Sequence, residues 1–406
     1  MSLLDLPPTL HRLTPLRAEV DLGAVRHNAR VLRARAGAAA LVGVVKADAY
    51  GHGAVPVART LREAGVSWLA VSSVPEGIEL REAGLDGPVL VMGAPLPEYL
   101  PACARYGLAV TIASPEGAEA AAEAARLTGP LTVHVKVDTG MNRLGLRPDE
   151  LPAALAALRA APGVELEGLW THFATADEAD PDFAHAQART FDRALEAVRA
   201  AGGGLPPLVH LANSPALFQV PAAVAGRGLV RAGGALYGLA TSDAVAQAMG
   251  QGGDGAPTDD ALRPAMRLVT RVVRVATVRP GETVSYGRTW RAERPTRVAT
   301  LAAGYADGLP RALSSRTDEA GRGASGVVGV GGRLWPVAGR VCMDLTMLDL
   351  GAPEGPGAGV RVGDEAVLFG AGGPSAREQA ALAGTLSYVL TAGLTARVPR
   401  VYVGEG

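Results

Sequence analysis

The chain carries nearly all of its positive charge on arginine, so its few lysines stand out. Of the 39 lysines and arginines, two are lysines, Lys46 and Lys136. A guanidinium keeps its proton, whereas a lysine amine can form a Schiff base, release its proton or take up carbon dioxide as a carbamate. Each lysine directly follows an apolar run, LVGVV or LTVHV. Chance survival in an arginine-rich chain is the alternative, but surface lysines rarely end buried strands.

Other apolar runs are also followed by groups that could bind or transfer charge. Arg143 lies in KVDTGMNRLG, His172 in THFATAD, and Arg231 ends a run before the pair Gly233–Gly234. Ser214 at a helix start and the glycine pair offer backbone N–H groups suited to a phosphate, although each alone is an ordinary cap or turn residue. An amine facing a phosphate cradle indicates a phosphorylated aldehyde cofactor, for which pyridoxal phosphate is the natural candidate.

The elements that position these groups predict an α/β fold. Eight apolar runs alternate with helical stretches such as 55–64, 115–127 and 183–201. The eight runs are 41–45, 68–71, 89–92, 109–112, 131–137, 166–171, 208–211 and 229–231. This pattern favours an N-terminal (β/α)8 barrel, with the site at the carboxyl ends of the strands. A doubly wound open sheet is the alternative, but no GxGxxG follows the first strand.

The second part of the chain has a different pattern. Residues 241–260 are polar and glycine-rich, which predicts a linker or insertion. Beyond them, period-two alternation and glycine turns predict a mainly β domain over 261–406, with one helical stretch at 376–390. The predicted layout is an N-terminal extension at 1–16, a barrel at 17–240, the linker and the β domain.

Composition limits the class of partner. A net charge of −1 supplies no basic field for nucleic acid, and no apolar run is long enough for a membrane helix. Cys103 and Cys342 form neither a disulfide framework nor a metal-ligand pattern, so we expect no metal. The N-terminus lacks the basic and apolar stretches of an export signal. We therefore expect a cytoplasmic protein with a small-molecule ligand.

Eight strings in this order resemble the pyridoxal-phosphate-dependent alanine racemases, over about residues 17–402. The strings are VVKADAYGHG, KVDTGMNRLG, THFATAD, HLANSPA, VSYGRTW, GYADGLPR, GRVCMDLTMLDL and RVPRVY. The resemblance implies a barrel followed by a β domain, and a homodimer whose active sites are shared between subunits.

The resemblance also assigns catalytic roles. Lys46 is similar to the lysine that binds the cofactor covalently and moves a proton on one face of the substrate. Tyr286 resembles the base on the opposite face, contributed by the other subunit. His172 and Arg231 are implied to form a hydrogen-bonded chain to Tyr286, with Arg231 also meeting the ring nitrogen of the cofactor. Inversion at Cα requires proton donors on opposite faces, which these positions would supply.

Further residues correspond to binding positions of the family. Arg143 is implied to lie near the substrate carboxylate, Met343 to present its N–H to that carboxylate from the partner, and Tyr305 to narrow the entrance. Lys136 resembles a lysine that is carbamylated in many members, whose negative charge orients Arg143. The implied cofactor-binding residues, besides Lys46 and Arg231, are Tyr50, Asn213, Ser214, Gly233, Gly234 and Tyr388.

The sequence departs from the family pattern at three positions. Asp48 stands where asparagine is usual, Asn142 where glycine is usual, and Leu345 where a polar residue is frequent. The expected function is interconversion of L- and D-alanine, supplying D-alanine for peptidoglycan. The alternatives are a broad-specificity racemase, a basic amino-acid decarboxylase and a non-catalytic cofactor carrier, although the carrier would end near residue 235.

Overall fold

The computed structural model describes residues 14–251, 258–317 and 323–404. The chain divides into two compact units, one from Val25 to Arg263 and one that combines residues up to Ala24 with those from Pro264 onwards. Most of the predicted N-terminal extension lies outside the described residues. In the predicted linker, a helix forms over Asp243–Ala248, and residues 252–257 lie outside the described part.

The first unit is the predicted (β/α)8 barrel. Its eight parallel strands are β2 (Ala40–Val44), β3 (Trp68–Val71), β4 (Val89–Val91), β5 (Ala109–Ile112), β6 (Leu131–Lys136), β7 (Val164–Trp170), β8 (Leu208–His210) and β9 (Leu229–Ala232). They lie side by side in the order β8-β7-β6-β5-β4-β3-β2-β9. The N–H groups of Gly228 and Arg231 donate to the carbonyls of Val209 and Ala212, both at 3.0 Å, and join the two end strands.

Helices connect the strands, as the sequence predicts. They are α1 (Leu22–Ala36), α2 (Ala54–Glu63), α3 (Val74–Glu82), α4 (Leu100–Arg105), α5 (Pro115–Thr128), α6 (Leu151–Ala160), α7 (Asp182–Ala200), α8 (Ser214–Gln219) and α9 (Asp243–Ala248). Local capping defines their ends: Ser114 Oγ accepts the Gly117 N–H at 3.0 Å at the start of α5, and Pro115 follows at the first helical position.

The inside of the barrel changes from apolar to polar towards the carboxyl ends of its strands. Apolar side chains on alternate positions form one buried cluster, whose members include Val42, Trp68 and Leu90. Because side chains alternate at period two along a strand, Lys136 shares a face with His134 two residues earlier, and both are buried. The polar end of the barrel therefore holds the groups that follow the apolar runs.

The second unit is mainly β and antiparallel. Its main sheet contains β1 (Arg17–Asp21), β10 (Met266–Val278), β13 (Thr296–Leu301), β16 (Val327–Val330), β17 (Arg333–Pro336), β18 (Thr346–Asp349), β19 (Glu365–Phe369) and β20 (Arg400–Val403). Short strands form two further pairs, β11 (Thr283–Val284) with β12 (Trp290–Arg291), and β14 (Arg316–Thr317) with β15 (Gly323–Ala324). Strand β1 lies between β10 and β20, so the start of the chain completes the C-terminal sheet.

One predicted element of this unit is different in the structure. The helical stretch expected at 376–390 is two helices, α10 (Ala376–Ala383) and α11 (Ser387–Ala392). Gly384 ends the first with φ +69°, a left-handed conformation that glycine adopts at little cost. Across residues 14–251, 258–317 and 323–404, no helix is long and apolar enough to cross a bilayer.

Candidate functional site

Lys46 follows β2 directly and begins a left-handed turn. Ala47, Asp48, Ala49 and Tyr50 have φ values of 52°, 52°, 53° and 55°. A left-handed residue other than glycine costs about 1–2 kcal/mol, so surrounding contacts must impose this run. Asp48 Oδ1 accepts the N–H of Ala54 at 2.7 Å and caps α2, a contact that the usual asparagine oxygen could also make. The turn therefore joins the end of β2 to the start of the next helix.

The Glu76 carboxylate holds the start of this turn. One oxygen accepts the N–H of Ala47 at 2.7 Å, and the other accepts those of Ser72 and Ser73 at 2.7 and 2.9 Å. Glu76 belongs to the capping box of α3, so one side chain ties the loop after β3 to the residue after Lys46. The motif Ser-x-x-Glu is a sequence signal that could have identified this residue.

Lys46 is half-buried at the polar end of the barrel. Burial lowers the pKa of its amine, Arg143 lowers it further, and Glu76 acts in the opposite direction. A lower pKa increases the share of neutral amine, which is the form that attacks a carbonyl carbon or accepts a proton. The environment of Lys46 is therefore that of a reactive lysine.

Lys136 at the end of β6 is more deeply buried, with 3% of its surface exposed. Its Nζ lies 4.8 Å from the centroid of the Trp170 ring, a cation–π contact. Burial lowers its pKa to about 8, and the positive charges of Arg143 and Arg231 contribute in the same direction. The loop that carries Arg143 turns at Asn142, whose φ of +54° explains why glycine also suits this position.

Arg231 on β9 is 2% exposed and makes three hydrogen bonds inside the barrel. Its Nη1 donates to His210 Nδ1 at 2.7 Å, and its Nη2 donates to the carbonyls of Thr171 and Leu211, both at 2.8 Å. Burial lowers its pKa to about 9, so the guanidinium remains charged at neutral pH. The remaining Nε is buried with no hydrogen-bond partner among the described residues, which leaves one N–H for a bound group.

His172 is close enough to these charges to be affected by them. Burial lowers its pKa well below the ordinary value, and Arg231 and Lys136 are the next largest causes. The imidazole is therefore neutral, with one nitrogen as donor and the other as acceptor. The described hydrogen bonds of the Arg231 Nη groups go to His210, Thr171 and Leu211. The predicted hydrogen-bonded chain from Arg231 through His172 to Tyr286 therefore stays a prediction.

Residues after β8 and β9 bring together polar groups and backbone N–H groups of the kind that bind phosphate. Helix α8 begins at Ser214 as predicted, but its N-cap is Asn213, whose side chain accepts the N–H of Ala216 at 3.1 Å. Ser214 Oγ instead accepts the N–H of Gly233 at 2.9 Å. A Cβ at Gly233 would lie 2.4 Å from the Tyr50 hydroxyl, so glycine is needed for this approach. Burial raises the pKa of Tyr50 to about 12 and keeps this hydroxyl a donor.

The other predicted site residues belong to the β unit. Tyr286, Met343 and Tyr305 are 71%, 52% and 41% exposed. Two contacts bring their loops together: Ser285 Oγ donates to the carbonyl of Arg340 at 2.6 Å, and the Tyr305 N–H donates to the carbonyl of Cys342 at 3.0 Å. Three exposed side chains that the resemblance assigns to the partner's site thus share one edge of this unit. Tyr388 lies half-buried in α11.

The residues present in the barrel fit a phosphorylated pyridine aldehyde. Lys46 supplies an amine with a lowered pKa, and Arg231 supplies a buried Nε–H that no described residue accepts. Gly233 and Tyr50 supply a close pair of groups for a phosphate. Lys136 and Arg143 add positive charge, which favours anionic groups at the same end. Among the described residues, no group of His, Cys, Asp and Glu could hold a metal ion.

Fold and site together define a (β/α)8-barrel enzyme with a half-buried lysine amine at the carboxyl ends of its strands. The family model for the alanine racemase N-terminal domain matches residues 20–241, and that for the C-terminal domain matches residues 265–402. The alanine racemase of Symbiobacterium thermophilum is 42% identical over 400 residues, covering 98% of this chain and 99% of that protein. The chain belongs to the alanine racemase family.

Solved structures agree with this assignment. The alanine racemase of D-cycloserine-producing Streptomyces lavendulae is 37% identical, with a TM-score of 0.85 and coverage of 97% of this chain and 98% of that one. The alanine racemase of Bacillus anthracis with bound L-Ala-P is 34% identical, with a TM-score of 0.84 and coverage of 97% and 96%. The predicted family and fold are therefore confirmed.

Proposed function

We propose that the chain interconverts L- and D-alanine with pyridoxal phosphate, using Lys46 and Tyr286 as bases on opposite faces of the substrate. The proposal is carried by the presence, in one barrel, of a half-buried amine at Lys46 and a buried Arg231 Nε–H that has no hydrogen-bond partner among the described residues. When bound, pyridoxal phosphate supplies a ring that delocalises the negative charge left at Cα of alanine.

The chain's own residues would hold the cofactor and substrate as follows. Lys46 would bind the cofactor through its amine and would move a proton on one face of the substrate, and its lowered pKa suits both tasks. Arg231 would direct its Nε–H to the ring nitrogen, and the positive charge of this guanidinium would oppose protonation of that nitrogen. The residues that would hold the cofactor phosphate are Tyr50, Ser214, Gly233, Gly234 and Tyr388, with Asn213 shaping the same loop.

Substrate binding follows from charge. Arg143 attracts the alanine carboxylate, and the Met343 N–H from a partner subunit donates to it, while the partner's Tyr305 narrows the entrance. Carbamylation of Lys136 would turn a cation repelled by Arg143 into an anion that orients it. A pKa of about 8 supports this modification, because carbon dioxide reacts with the neutral amine.

We propose that two copies of the chain form a homodimer with shared sites. The exposed Tyr286, Tyr305 and Met343 on one edge of the β unit support this, because a large exposed apolar side chain on a loop is suited to enter a neighbouring molecule. We further propose a cytoplasmic role in supplying D-alanine for peptidoglycan. Eight curated relatives that are 39–42% identical to this chain are all alanine racemases, so a decarboxylase or a broad-specificity racemase is not favoured.

The test compares the two lysines after replacement by arginine, which keeps the charge and removes the amine. Loss of optical rotation of L-alanine measures racemisation, and borohydride reduction followed by peptide mapping locates the cofactor. We expect Lys46→Arg to lose about 10³-fold or more in activity and to lose the label. Lys136→Arg should retain the label at Lys46. A label at any other residue, or no racemisation by the wild-type protein, would overturn the proposal.

A further inference from the structure

A chain of buried hydrogen bonds leads away from Arg231 into the barrel. His210 Nδ1 receives the Arg231 Nη1–H at 2.7 Å, and His210 Nε2 lies 3.0 Å from His134 Nδ1. His134 Nε2 lies 3.1 Å from Glu167 Oε2. Both imidazoles are fully buried, whereas 33% of the Glu167 side chain is exposed. These hydrogen bonds therefore join a buried guanidinium to a carboxylate through two histidines.

The barrel is shaped to accommodate these rings. A Cβ at Gly168 would lie 2.1 Å from His134 Nδ1, so β7 lacks a side chain where the imidazole sits. The register between β6 and β7 shifts between Val133 and His134, beside Glu167. Trp170 stacks on His210 at 5.7 Å with an interplanar angle of 8°. The space at Gly168 and the register shift thus accommodate the two imidazoles, and stacking by Trp170 holds the His210 ring.

The donor and the acceptor of each of these hydrogen bonds follow from the two end groups, Arg231 and Glu167. Arginine can only donate, so His210 Nδ1 is an acceptor and the His210 proton lies on Nε2. His210 then donates to His134 Nδ1, which places the His134 proton on Nε2. That proton is donated to Glu167, whose ionised carboxylate can only accept. No other arrangement satisfies all three contacts with a charged arginine and an ionised glutamate.

Within the described part of the chain, none of the acceptors of Arg231 is a carboxylate. An orphaned buried charge is costly, and hydrogen-bond chains polarise along their length. We propose that Glu167, His134 and His210 are positioning residues that fix the orientation of Arg231, so that its Nε–H stays directed at the cofactor ring. This inference rests on the proposed function, since it assigns Nε–H to the cofactor.

The test compares three variants on β7. Glu167→Leu removes the terminal acceptor, and Glu167→Gln keeps an acceptor oxygen and thus the direction of the chain. Glu165→Leu is the matched control, because its carboxylate lies two residues earlier on β7 and accepts the Thr132 hydroxyl instead. Thermal unfolding identifies any variant that fails to fold.

The first measurement is the nitrogen NMR spectrum of histidine-labelled protein without cofactor. Wild type and Glu167→Gln should show His134 and His210 as neutral rings protonated on Nε2, and Glu167→Leu should lose this pattern. The second is kinetic. Glu167→Leu should lower kcat about tenfold with KM for alanine changed less than about twofold, as expected for a lost buried hydrogen bond.

Two results would overturn the proposed positioning role. One is a Glu167→Leu variant whose histidine tautomers and kcat equal those of wild type. The other is a Glu165→Leu variant whose kcat falls as much as that of Glu167→Leu. If Glu167→Leu does not fold, Glu167→Gln gives the test. Histidine tautomers in Glu167→Gln that differ from those of wild type would contradict the assigned direction of the hydrogen bonds. Failure of the proposed function is distinguishable, because the tautomers are measured in the absence of cofactor and substrate.

Discussion

The two lysine side chains differ in how their environments treat a positive charge. Lys46 has Glu76 to counter part of the effect of Arg143. Lys136 is almost fully buried, and the repulsion from Arg143 and Arg231 outweighs the opposite effect of Asp138. A protonated Lys136 therefore destabilises the folded protein, and carbamylation would relieve this cost.

The pKa of Lys136 predicts a pH dependence of stability. Its folded-state pKa is about 8 and its ordinary value is 10.5. Between these values the unfolded state binds a proton that the folded state does not, so this group's contribution to stability rises with pH across that window. Below pH 8 its cost is complete, at roughly 3 kcal/mol for the full shift.

Replacement of Lys136 by methionine, which has similar length and no charge, tests this dependence. In buffer free of carbon dioxide, Lys136→Met should have a larger free energy of unfolding than wild type at pH 7, and the gap should narrow between pH 8 and 10. Urea unfolding at each pH gives the two values. Bicarbonate should narrow the gap at pH 7 if the amine is carbamylated, with an intact mass increased by one carbon dioxide. A gap independent of pH would contradict the lowered pKa.

At the scale of elements, strand positions follow from sequence and the turn after Lys46 does not. The run at 41–45 predicts β2 because a short apolar segment that ends at a polar residue suits a buried parallel strand. Among the residues Ala47 to Tyr50, Asp48 is the one type that tolerates left-handed backbone, whereas alanine usually favours the right-handed helix. Contacts distant in sequence, above all with Glu76, impose the observed conformation.

The site residues likewise divide into those that the sequence identifies and those that it does not. Lys46, Lys136 and Arg231 were identifiable because each ends an apolar run. The sequence does not assign His134 and His210 to the site, because one sequence does not show which inward-facing groups of separate strands meet. Strand parity does place His134 on the face of Lys136, which was the available signal. Their connection to Glu167 depends on the register of β6, β7 and β8.

Removal of the Glu76 carboxylate should loosen the turn that carries Lys46. Glu76→Ala leaves the N–H groups of Ala47, Ser72 and Ser73 without their acceptor, and we expect cofactor affinity to fall about tenfold. Fluorescence titration with pyridoxal phosphate measures the dissociation constant. Glu378→Ala is the control, because Glu378 completes the capping box of α10 in the other unit. Equal effects of the two variants on cofactor affinity would argue against a specific role of Glu76.

At the scale of the whole molecule, the site residues are divided between two compact units. The amine and the proposed phosphate-binding groups other than Tyr388 belong to the barrel unit, and Tyr286, Tyr305, Met343 and Tyr388 belong to the β unit. If sites are shared in a homodimer, defects in different units should complement each other.

Mixing two inactive variants tests this sharing. After subunit exchange, Lys46→Ala with Tyr286→Phe should restore one intact site in each mixed dimer, which is about one quarter of wild-type activity after random exchange. Lys46→Ala with Arg231→Ala should restore none, because both residues come from the same barrel. Mass spectrometry of the intact dimers confirms exchange. Absence of recovery in the first mixture, once mixed dimers are present, would exclude sites built from both subunits.

Strand β1 pairs Ala18 with Arg400 in parallel and Arg17 with Val269 in antiparallel register. The first described strand is thus an interior member of a sheet whose other strands are translated last. During synthesis on the ribosome, these five residues must wait, unpaired, while the entire barrel emerges. A C-terminal fragment that begins after the barrel would lack β1, the strand between β10 and β20. A synthetic peptide with the sequence of β1 is expected to bind this fragment at the missing position.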